Sequence, residues 1–255
     1  MPTARRVAVP LLALLLLIAT LLLSVVVYLL GGSPLGKERG VAYTDAPAGD
    51  GDRPITVVVI DAGHGGEDGG ASSASGVVEK DVNLAVAFAL RDLFEAAGIP
   101  VVMTRTEDIL LYDRGVNFQG RKKVLDLAAR QLIAEKTAQA ASEEGGASLF
   151  ISIHMNAFPA PQYSGMQVWY GVGDPLSREM ADAIQTASLT LMPNNRRKTK
   201  AAGSSIYLLD RIQTPAVLVE CGFLSNPDEA ARLGTDDYQR QVALAIFTGI
   251  AGYME

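Results

Sequence analysis

The chain has 255 residues, of which 49% are hydrophobic and 20% are charged, and its formal net charge at pH 7 is −6. A disordered chain would be poorer in apolar residues, so intrinsic disorder is excluded. A scaffold held together by disulfides is also excluded, because the chain contains 1 cysteine. Nucleic-acid binding is disfavoured, since a phosphate backbone attracts clustered Lys and Arg rather than an acidic chain.

The N-terminal part of the sequence is far more apolar than the rest. Residues 7–30 carry no charge, and Arg5 and Arg6 stand directly before them. A helix over this run would reach about 36 Å, which is enough to cross a hydrocarbon core of ~30 Å. We therefore predict a membrane anchor or uncleaved signal at residues 1–30, with a cleaved signal peptide or a buried core helix as alternatives. The two arginines favour a cytoplasmic N-terminus and a domain on the extracytoplasmic side.

A change of composition separates this leader from the remainder. Residues 31–53 are rich in Gly, Pro, Asp and Ala and have no apolar periodicity, which predicts a flexible linker. Residues 54–255 have an ordinary size for one domain with its own hydrophobic core.

Beyond the linker, short β-branched runs alternate with segments of helical periodicity. This alternation predicts a layered α/β domain with a mostly parallel sheet. Gly98 is predicted to end the first helix and Asn226 to cap a later one, and the charged face of the helix at residues 114–141 is expected to be solvated. Strands are predicted at residues 55–61, 99–104, 149–153, 166–170 and 216–220, and helices at residues 82–94, 114–141, 176–191 and 238–253.

Both histidines of the chain follow predicted strands. His64 lies in the glycine-rich loop DAGHGGEDGG after the first strand, and His154 directly follows the third. Two acids have similar positions, since Glu220 closes the strand at 216–220 and Glu79 begins the helix after the glycine-rich loop. A single histidine is more often a surface or core residue than a ligand. However, ligands gather at the carboxyl ends of parallel strands, so the four residues together suggest a site.

These residue types suit a zinc ion. Zinc binds neutral imidazoles and carboxylates, and a catalytic site leaves one position open for water. His64, Glu79 and His154 would supply such a set from three separate segments. Glu79 taken alone is more simply an acid that favours the N-terminus of its helix. Glu220 follows four apolar residues, where a carboxylate is costly unless it is paired or bound.

Other site classes fit the sequence less well. The chain has no HExxH motif, which excludes a protease built on one zinc-binding helix. The glycine-rich loop matches neither nucleotide-binding motif, and its acidic charge would repel phosphate. A thiol hydrolase with Cys221 as nucleophile and His154 as base is an alternative. Cys221 should lie on the opposite side of its strand from Glu220, however, where it suits a small buried hydrophobe.

Four motifs together resemble a known family. DAGHGGEDGG, VVEKDVNLA, SLFISIHMNA and PAVLVECGFLSNPDEA occur in this order between residue 55 and the C-terminus. In this respect the chain resembles the zinc-dependent N-acetylmuramoyl-L-alanine amidases, which cut peptidoglycan. The resemblance implies a catalytic zinc held by His64, Glu79 and His154, with Glu220 as the catalytic carboxylate. It also implies a three-layer α/β/α fold with a central sheet of about six strands.

Further segments resemble the spore-cortex amidases of the CwlD type. These segments are VVMTRTED, YDRG, RRKTKAAGSSIYLLD and LGTDDYQRQVALAI, together with the short apolar N-terminus. The narrower resemblance implies removal of the stem peptide from muramic acid, so that a second enzyme can form muramic-δ-lactam, and it allows an accessory lipoprotein as a partner. Ala62 departs from the family's usual proline in DPGHGG, at a position that stiffens the backbone. A non-catalytic wall-binding or scaffolding domain is the alternative interpretation.

Two further residues are predicted to contact the peptidoglycan substrate. Asn156 lies two residues after His154 and could hydrogen-bond the substrate, although a structural role in a turn is equally open. Arg105 follows the second predicted strand and could pair with peptide carboxylates, with a structural salt bridge as its alternative. An acidic domain gains no long-range attraction to an anionic wall polymer, so recognition is expected to depend on short-range contacts.

Overall fold

The computed structural model of the protein describes residues 53–112 and 121–254. The predicted anchor at residues 1–30 and all but the last residue of the predicted linker lie outside the described residues, as does most of the YDRG motif. Within the described ranges, no helix combines the length and the apolar character that crossing a membrane requires.

A six-stranded sheet forms the centre of the described domain. Its strands are β1 (Ile55–Ala62), β2 (Val101–Met103), β3 (Ala147–Asn156), β4 (Gln167–Tyr170), β5 (Lys200–Ala201) and β6 (Ala216–Phe223). Their order in the sheet is β2-β1-β3-β6-β4-β5. All neighbouring pairs are parallel except β4 and β6, which are antiparallel. The predicted mostly parallel sheet is therefore confirmed.

Helices cover both faces of this sheet. They are α1 (Glu79–Ala96), α2 (Lys122–Glu143), α3 (Leu176–Ala187), α4 (Tyr207–Arg211), α5 (Pro227–Leu233) and α6 (Asp236–Ile250), with short 3-10 turns at Ser188–Thr190 and Ala251–Tyr253. Successive residues of β1 point to opposite faces. Val58 and Ile60 therefore belong to a core shared with α1, α3, α5 and α6, whereas Val59 belongs to a smaller core shared with α2 and α4. The result is the expected three-layer α/β/α domain.

Local signals for the ends of helices agree with the structure. Gly98 adopts a φ of 79° directly after the cap of α1, a conformation that glycine adopts without steric cost. The side chain of Asn226 accepts hydrogen bonds of 3.0 Å from the backbone N–H groups of Asp228 and Glu229, which caps α5 as predicted.

The predicted solvation of the charged face of α2 is wrong at two positions. Asp126 is 4% exposed and Arg130 is 1% exposed. The reason is that this part of α2 packs over the end of β1, where the carboxylate of Asp61 is also buried. The helix therefore directs a charged pair toward the sheet rather than toward solvent.

Candidate metal centre and active site

Three polar side chains stand next to one another on neighbouring strands at one end of the sheet. His154 of β3 is the register partner of Glu220 of β6, and Glu220 is in turn the partner of Gln167 of β4. Directly opposite residues on adjacent strands place their side chains on the same face. Cys221, the next residue of β6, points to the other face and is fully buried in the core. The sheet thus separates the thiol from the cluster.

His64, Glu79 and His154 converge on one point. Oε1 of Glu79 lies 3.3 Å from Nε2 of His64 and 3.1 Å from Nδ1 of His154. One candidate ligand atom from each residue lies within 4.8 Å of the other two. Ligand atoms 2.0–2.1 Å from a tetrahedral zinc ion stand about 3.3 Å apart. The two histidines and the glutamate therefore fit a zinc ion both in chemistry and in spacing.

Glu79 is held firmly in this cluster. The side chain is buried at the start of α1, where Oε1 accepts a 3.0 Å hydrogen bond from the N–H of Met155 and Oε2 a 2.7 Å hydrogen bond from that of Ala71. Burial alone would raise the pKa of Glu79, but hydrogen bonds and charge interactions with His154 and His64 hold it well below its ordinary value. The carboxylate is therefore ionised at neutral pH and available to a cation.

The glycine-rich loop gives His64 an unusual backbone conformation. His64 has a φ of 61°, in the left-handed region that few residues other than glycine adopt. Its Nδ1 lies 3.0 Å from Oδ2 of Asp68, a close charge contact that lacks the alignment of a hydrogen bond, and a carboxylate at this distance favours one orientation of a metal-binding imidazole. A Cβ atom at Gly63 would lie 2.2 Å from Nε2 of His154, and one at Gly70 would lie 2.5 Å from Oε2 of Glu79. The glycines at these positions allow the loop to approach the cluster closely.

A buried network of charged residues stabilises the glycine-rich loop. Arg130 donates hydrogen bonds to Oδ1 of Asp61 at 2.7 Å and to Oδ2 of Asp126 at 2.8 Å. It also donates to the carbonyl oxygens of Ala62 and His64, both at 2.7 Å. Burial opposes its charge, but the two carboxylates raise the pKa of Arg130 above its ordinary value. This network was not predicted from the sequence, although an aspartate that ends an apolar strand is the same kind of signal as Glu220.

Arg105 lies on the underside of the glycine-rich loop and is 2% exposed. Its guanidinium donates hydrogen bonds of 2.8–3.1 Å to the carbonyl oxygens of Ala62, Gly63, Lys80 and Glu107. The predicted contact with peptide carboxylates does not match this placement, because a buried guanidinium already bound to four carbonyl groups has little capacity for a ligand. Its contacts favour the structural alternative, but its partners are carbonyl groups rather than the acid of the expected salt bridge.

Asn156 lies in a different position, at the end of β3 and partly exposed, where it lines a groove on the open side of the cluster. Its backbone carbonyl accepts a 2.8 Å hydrogen bond from the N–H of Leu224. The predicted contact between its side chain and the substrate stays a prediction.

Glu220 is the one acid of this cluster that has an unsatisfied oxygen. Among the described residues, no hydrogen-bond partner reaches its buried Oε2. Burial, opposed by the charge of His154 and reinforced by that of Glu79, raises the pKa of Glu220 to about 6. An unpaired buried carboxylate oxygen is costly in a folded protein. Because Glu220 lies beside the candidate metal ligands, its free oxygen is available to bind water or substrate.

The raised pKa of Glu220 predicts that the stability of the metal-free protein depends on pH. The pKa of this carboxyl is about 6 in the folded state and 4.5 when unperturbed. The folded state therefore binds the proton more tightly, and the stability that this provides is complete below pH 4.5 and lost as the pH rises through 6. The whole effect is ~2 kcal/mol.

Glu220→Gln removes this titration. In urea unfolding of chelator-treated protein, the stability of the variant relative to the wild type should increase by ~2 kcal/mol between about pH 4.5 and 7.5. A difference that stays constant over this range would show that burial does not perturb the carboxyl.

Comparison with known proteins gives a consistent result. Residues 58–252 match the profile of Amidase_3, described as N-acetylmuramoyl-L-alanine amidase. The germination-specific N-acetylmuramoyl-L-alanine amidase of Bacillus subtilis is 39% identical over 198 residues, which cover 77% of this chain and 79% of that protein. Two solved structures are similar over almost the same share of the chain. The CwlD amidase of Clostridioides difficile, in complex with the GerS lipoprotein, is 36% identical with a TM-score of 0.70 and covers 78% of this chain and 98% of its own. The amidase AmiC2 of Nostoc punctiforme is 31% identical with a TM-score of 0.63, and the match covers 78% of this chain and 96% of that one.

Proposed function

The chain belongs to the Amidase_3 family of N-acetylmuramoyl-L-alanine amidases, and from this premise we propose that it uses zinc to hydrolyse the amide between N-acetylmuramic acid and the L-alanine of the stem peptide. The observation that carries the proposal is the convergence of His64, Glu79 and His154 within 4.8 Å. Glu220, whose buried Oε2 has no partner among the described residues, stands beside them. Residues 54–255 then form the catalytic domain.

In the proposed reaction, water adds to the carbonyl carbon, the C–N bond breaks, and the products are the muramic acid carboxylate and the free amine of the peptide. When bound by these residues, a zinc ion would supply a Lewis acid for the carbonyl group and for water near neutral pH. Glu220 takes a proton from the attacking water and passes it to the departing nitrogen. Burial raises the pKa of Glu220 in the metal-free protein, which makes this carboxylate a better proton acceptor than an exposed one.

Several residues around Glu220 fix the positions of the groups that take part in this reaction. Glu79, His64 and His154 would hold the ion, and the carboxylate of Asp68, 3.0 Å from Nδ1 of His64, favours one orientation of its ring. The backbone carbonyl of His64 is fixed by Arg130. These contacts place the metal ligands before the substrate arrives, so little reorganisation is needed during the reaction.

The biological setting is part of the proposal. Likeness to a germination-specific amidase and to the CwlD amidase supports a role in spore-cortex maturation, in which peptide removal precedes formation of muramic-δ-lactam. The structure of CwlD with the GerS lipoprotein supports an accessory lipoprotein as a partner. We propose that residues 7–30 anchor the protein in the membrane and that the catalytic domain acts on the extracytoplasmic side.

The direct test is to incubate the zinc-loaded full-length protein with muropeptides and to follow the release of peptide by reversed-phase chromatography. We expect peptide release by the loaded protein, none after chelation, and recovery when zinc is restored. His154→Ala should lower zinc affinity by more than about 100-fold. Asp68→Asn, which leaves all three ligands in place, should lower it by about 10- to 100-fold.

Two results would contradict the proposal. A protein that lacks stoichiometric zinc, and whose activity zinc does not restore, would exclude the metal. A zinc-loaded protein that binds peptidoglycan without cleaving it would instead indicate a wall-binding or scaffolding domain with an amidase fold.

A further inference from the structure

A groove of about 350 Å³ opens beside the catalytic cluster on the side of β4 and β5. Gln167, the register partner of Glu220, forms one end of it. Its walls include the exposed aromatic rings of Phe158 and Tyr163, which meet edge to face with centroids 5.0 Å apart. A ligand held here would therefore lie one strand away from Glu220.

The groove contains two cations held over aromatic rings. The guanidinium of Arg197 lies 4.2 Å from the centre of the Phe223 ring, and the ammonium of Lys200 lies 5.1 Å from that of Trp169. Nε of Arg197 donates a 2.8 Å hydrogen bond to the carbonyl oxygen of Ser164, which fixes the orientation of the guanidinium. Arg197 is thus held in position, with Lys200 placed over a neighbouring ring.

Neither cation has an acidic partner in the described part of the chain, although the protein as a whole carries a net charge of −6. Cations that remain unpaired beside an active site offer an anion a binding position at short range. The missing carboxylate is therefore expected to come from a ligand.

The register of the strands places one of these cations, Lys200, at a defined distance from Glu220. Trp169 lies two residues after Gln167 on β4, so both side chains are on the same face and about 7 Å apart. Lys200 is the register partner of Trp169 on β5 and shares this face. Trp169 is thus diagonal to Glu220 across one strand spacing, about 8 Å away along the backbone, and Lys200 lies one strand farther, about 12 Å away.

We propose that this groove binds the stem peptide as an acidic extended chain, with Arg197 and Lys200 holding its free carboxylates. The inference rests on the amidase activity proposed above. In peptidoglycan, the γ-linked D-glutamate follows the L-alanine whose amide is cut, and two residues span at most about 7 Å. Its α-carboxylate is therefore directed toward the cations when the scissile bond lies beside Glu220, and the long side chains of Arg197 and Lys200 cover the remaining distance. The glycan side has no free carboxylate at this point, because the lactyl group of muramic acid is amidated.

The test compares two muramoyl tripeptides, one with the free α-carboxylate of D-glutamate and one in which this group is an amide. For zinc-loaded full-length Arg197→Gln and Lys200→Gln, we expect KM for the free carboxylate to rise about tenfold, with kcat changed less than about twofold. The amidated substrate should be hydrolysed by each variant about as well as by the wild type. Hydrolysis of the amidated substrate also verifies that the variants fold.

Arg196→Gln is the matched control, because it removes the same charge from the adjacent residue. Arg196 is exposed and donates to the carbonyl oxygens of Pro193 and Asn195, outside this groove. Its KM should stay within about twofold of the wild type. Equal losses in Arg196→Gln and Arg197→Gln would overturn the proposal in favour of a general effect of charge, as would equal losses on both substrates.

Binding to an inactive protein separates this inference from the proposed activity. In a Glu220→Gln background, calorimetry should show about tenfold weaker binding of the free-carboxylate tripeptide when Arg197 is also replaced by glutamine. If this binding difference appears while the wild type cleaves neither substrate, the groove assignment stands and the proposed activity fails. If the wild type cleaves both substrates and Arg197 affects neither binding nor KM, the groove assignment fails and the activity stands.

Discussion

Glu220→Gln is expected to lower kcat for muropeptide hydrolysis by about 10²- to 10⁴-fold while the protein keeps its zinc. Glutamine has nearly the same shape but cannot accept the proton of the attacking water. The three candidate metal ligands are other residues, so zinc content should be unchanged. The comparison requires kcat from peptide release and zinc per protein from elemental analysis of the same samples.

Cys221→Ser provides the control for this experiment. Cys221 is adjacent to Glu220 in sequence, but it is fully buried on the opposite face of β6, and burial raises the pKa of its thiol well above the ordinary value. We expect this variant to retain activity within about threefold, because a buried neutral thiol is a poor nucleophile. Loss of activity in Cys221→Ser together with activity in Glu220→Gln would reverse the assignment and indicate a thiol hydrolase.

The position of the site could be predicted because its residues follow strong local signals. His64 and His154 come after apolar β-branched runs, and such runs form strands whatever they later contact. Parallel strands bring their carboxyl ends to one edge of the sheet. Residues separated by ninety positions can therefore be predicted to meet without any knowledge of side-chain packing. Glu220 was recognisable for a related reason, since a carboxylate after four apolar residues needs a partner or a function.

Other features could not be predicted because they depend on distant partners. Arg130 lies on a helix with a polar exposed face, and nothing in its neighbourhood distinguishes it from a solvated arginine. Its partner Asp61 is 69 residues away in sequence. The role of Arg105 was equally hard to predict, since an arginine after a strand can bind a ligand or support a loop. Only the carbonyl groups around it distinguish these two roles. The short elements β5 and α4 have too few residues to show a period.

The role of the cations in the groove also could not be predicted from the sequence. The segment that contains Arg197 and Lys200 was recognised only by its resemblance to the CwlD-type amidases, because a run of basic residues is usually a solvated surface. Their alignment with Glu220 depends on β4 running antiparallel to β6. The alternation of strands and helices predicted a mostly parallel sheet and contained no information about this single reversal.

Arg130→Met is expected to destabilise the protein by about 3–5 kcal/mol, because it leaves Asp61 buried without its counter-charge. In the folded wild type, burial opposes the charge of Asp61, while Arg130, Ser152 and Thr104 together hold the pKa of this carboxyl below its ordinary value. Removal of the guanidinium leaves two hydroxyl donors, at 2.7 Å each, to stabilise a buried anion. Urea unfolding at neutral pH measures the change.

A surface arginine supplies the comparison. Arg240 pairs with Asp237 on α6 at an exposed position, and Arg240→Met should cost less than about 1 kcal/mol. If both substitutions destabilise the protein equally, the buried network has no special role in stability. Arg130→Lys keeps the charge but presents fewer donors, so we expect it to fold with an intermediate loss.

The same network connects stability to the metal site. Arg130 donates to the carbonyl oxygen of His64, a residue whose φ of 61° is unfavourable outside glycine. Without this hydrogen bond, the loop should relax toward a commoner conformation and move the imidazole away from Glu79. Arg130→Lys, measured where it is fully folded, should therefore bind zinc about 10- to 100-fold more weakly, as is typical when a residue behind a ligand is replaced. Unchanged zinc affinity in a folded Arg130→Lys variant would mean that the glycine-rich loop holds His64 without help, and that Arg130 serves the fold alone.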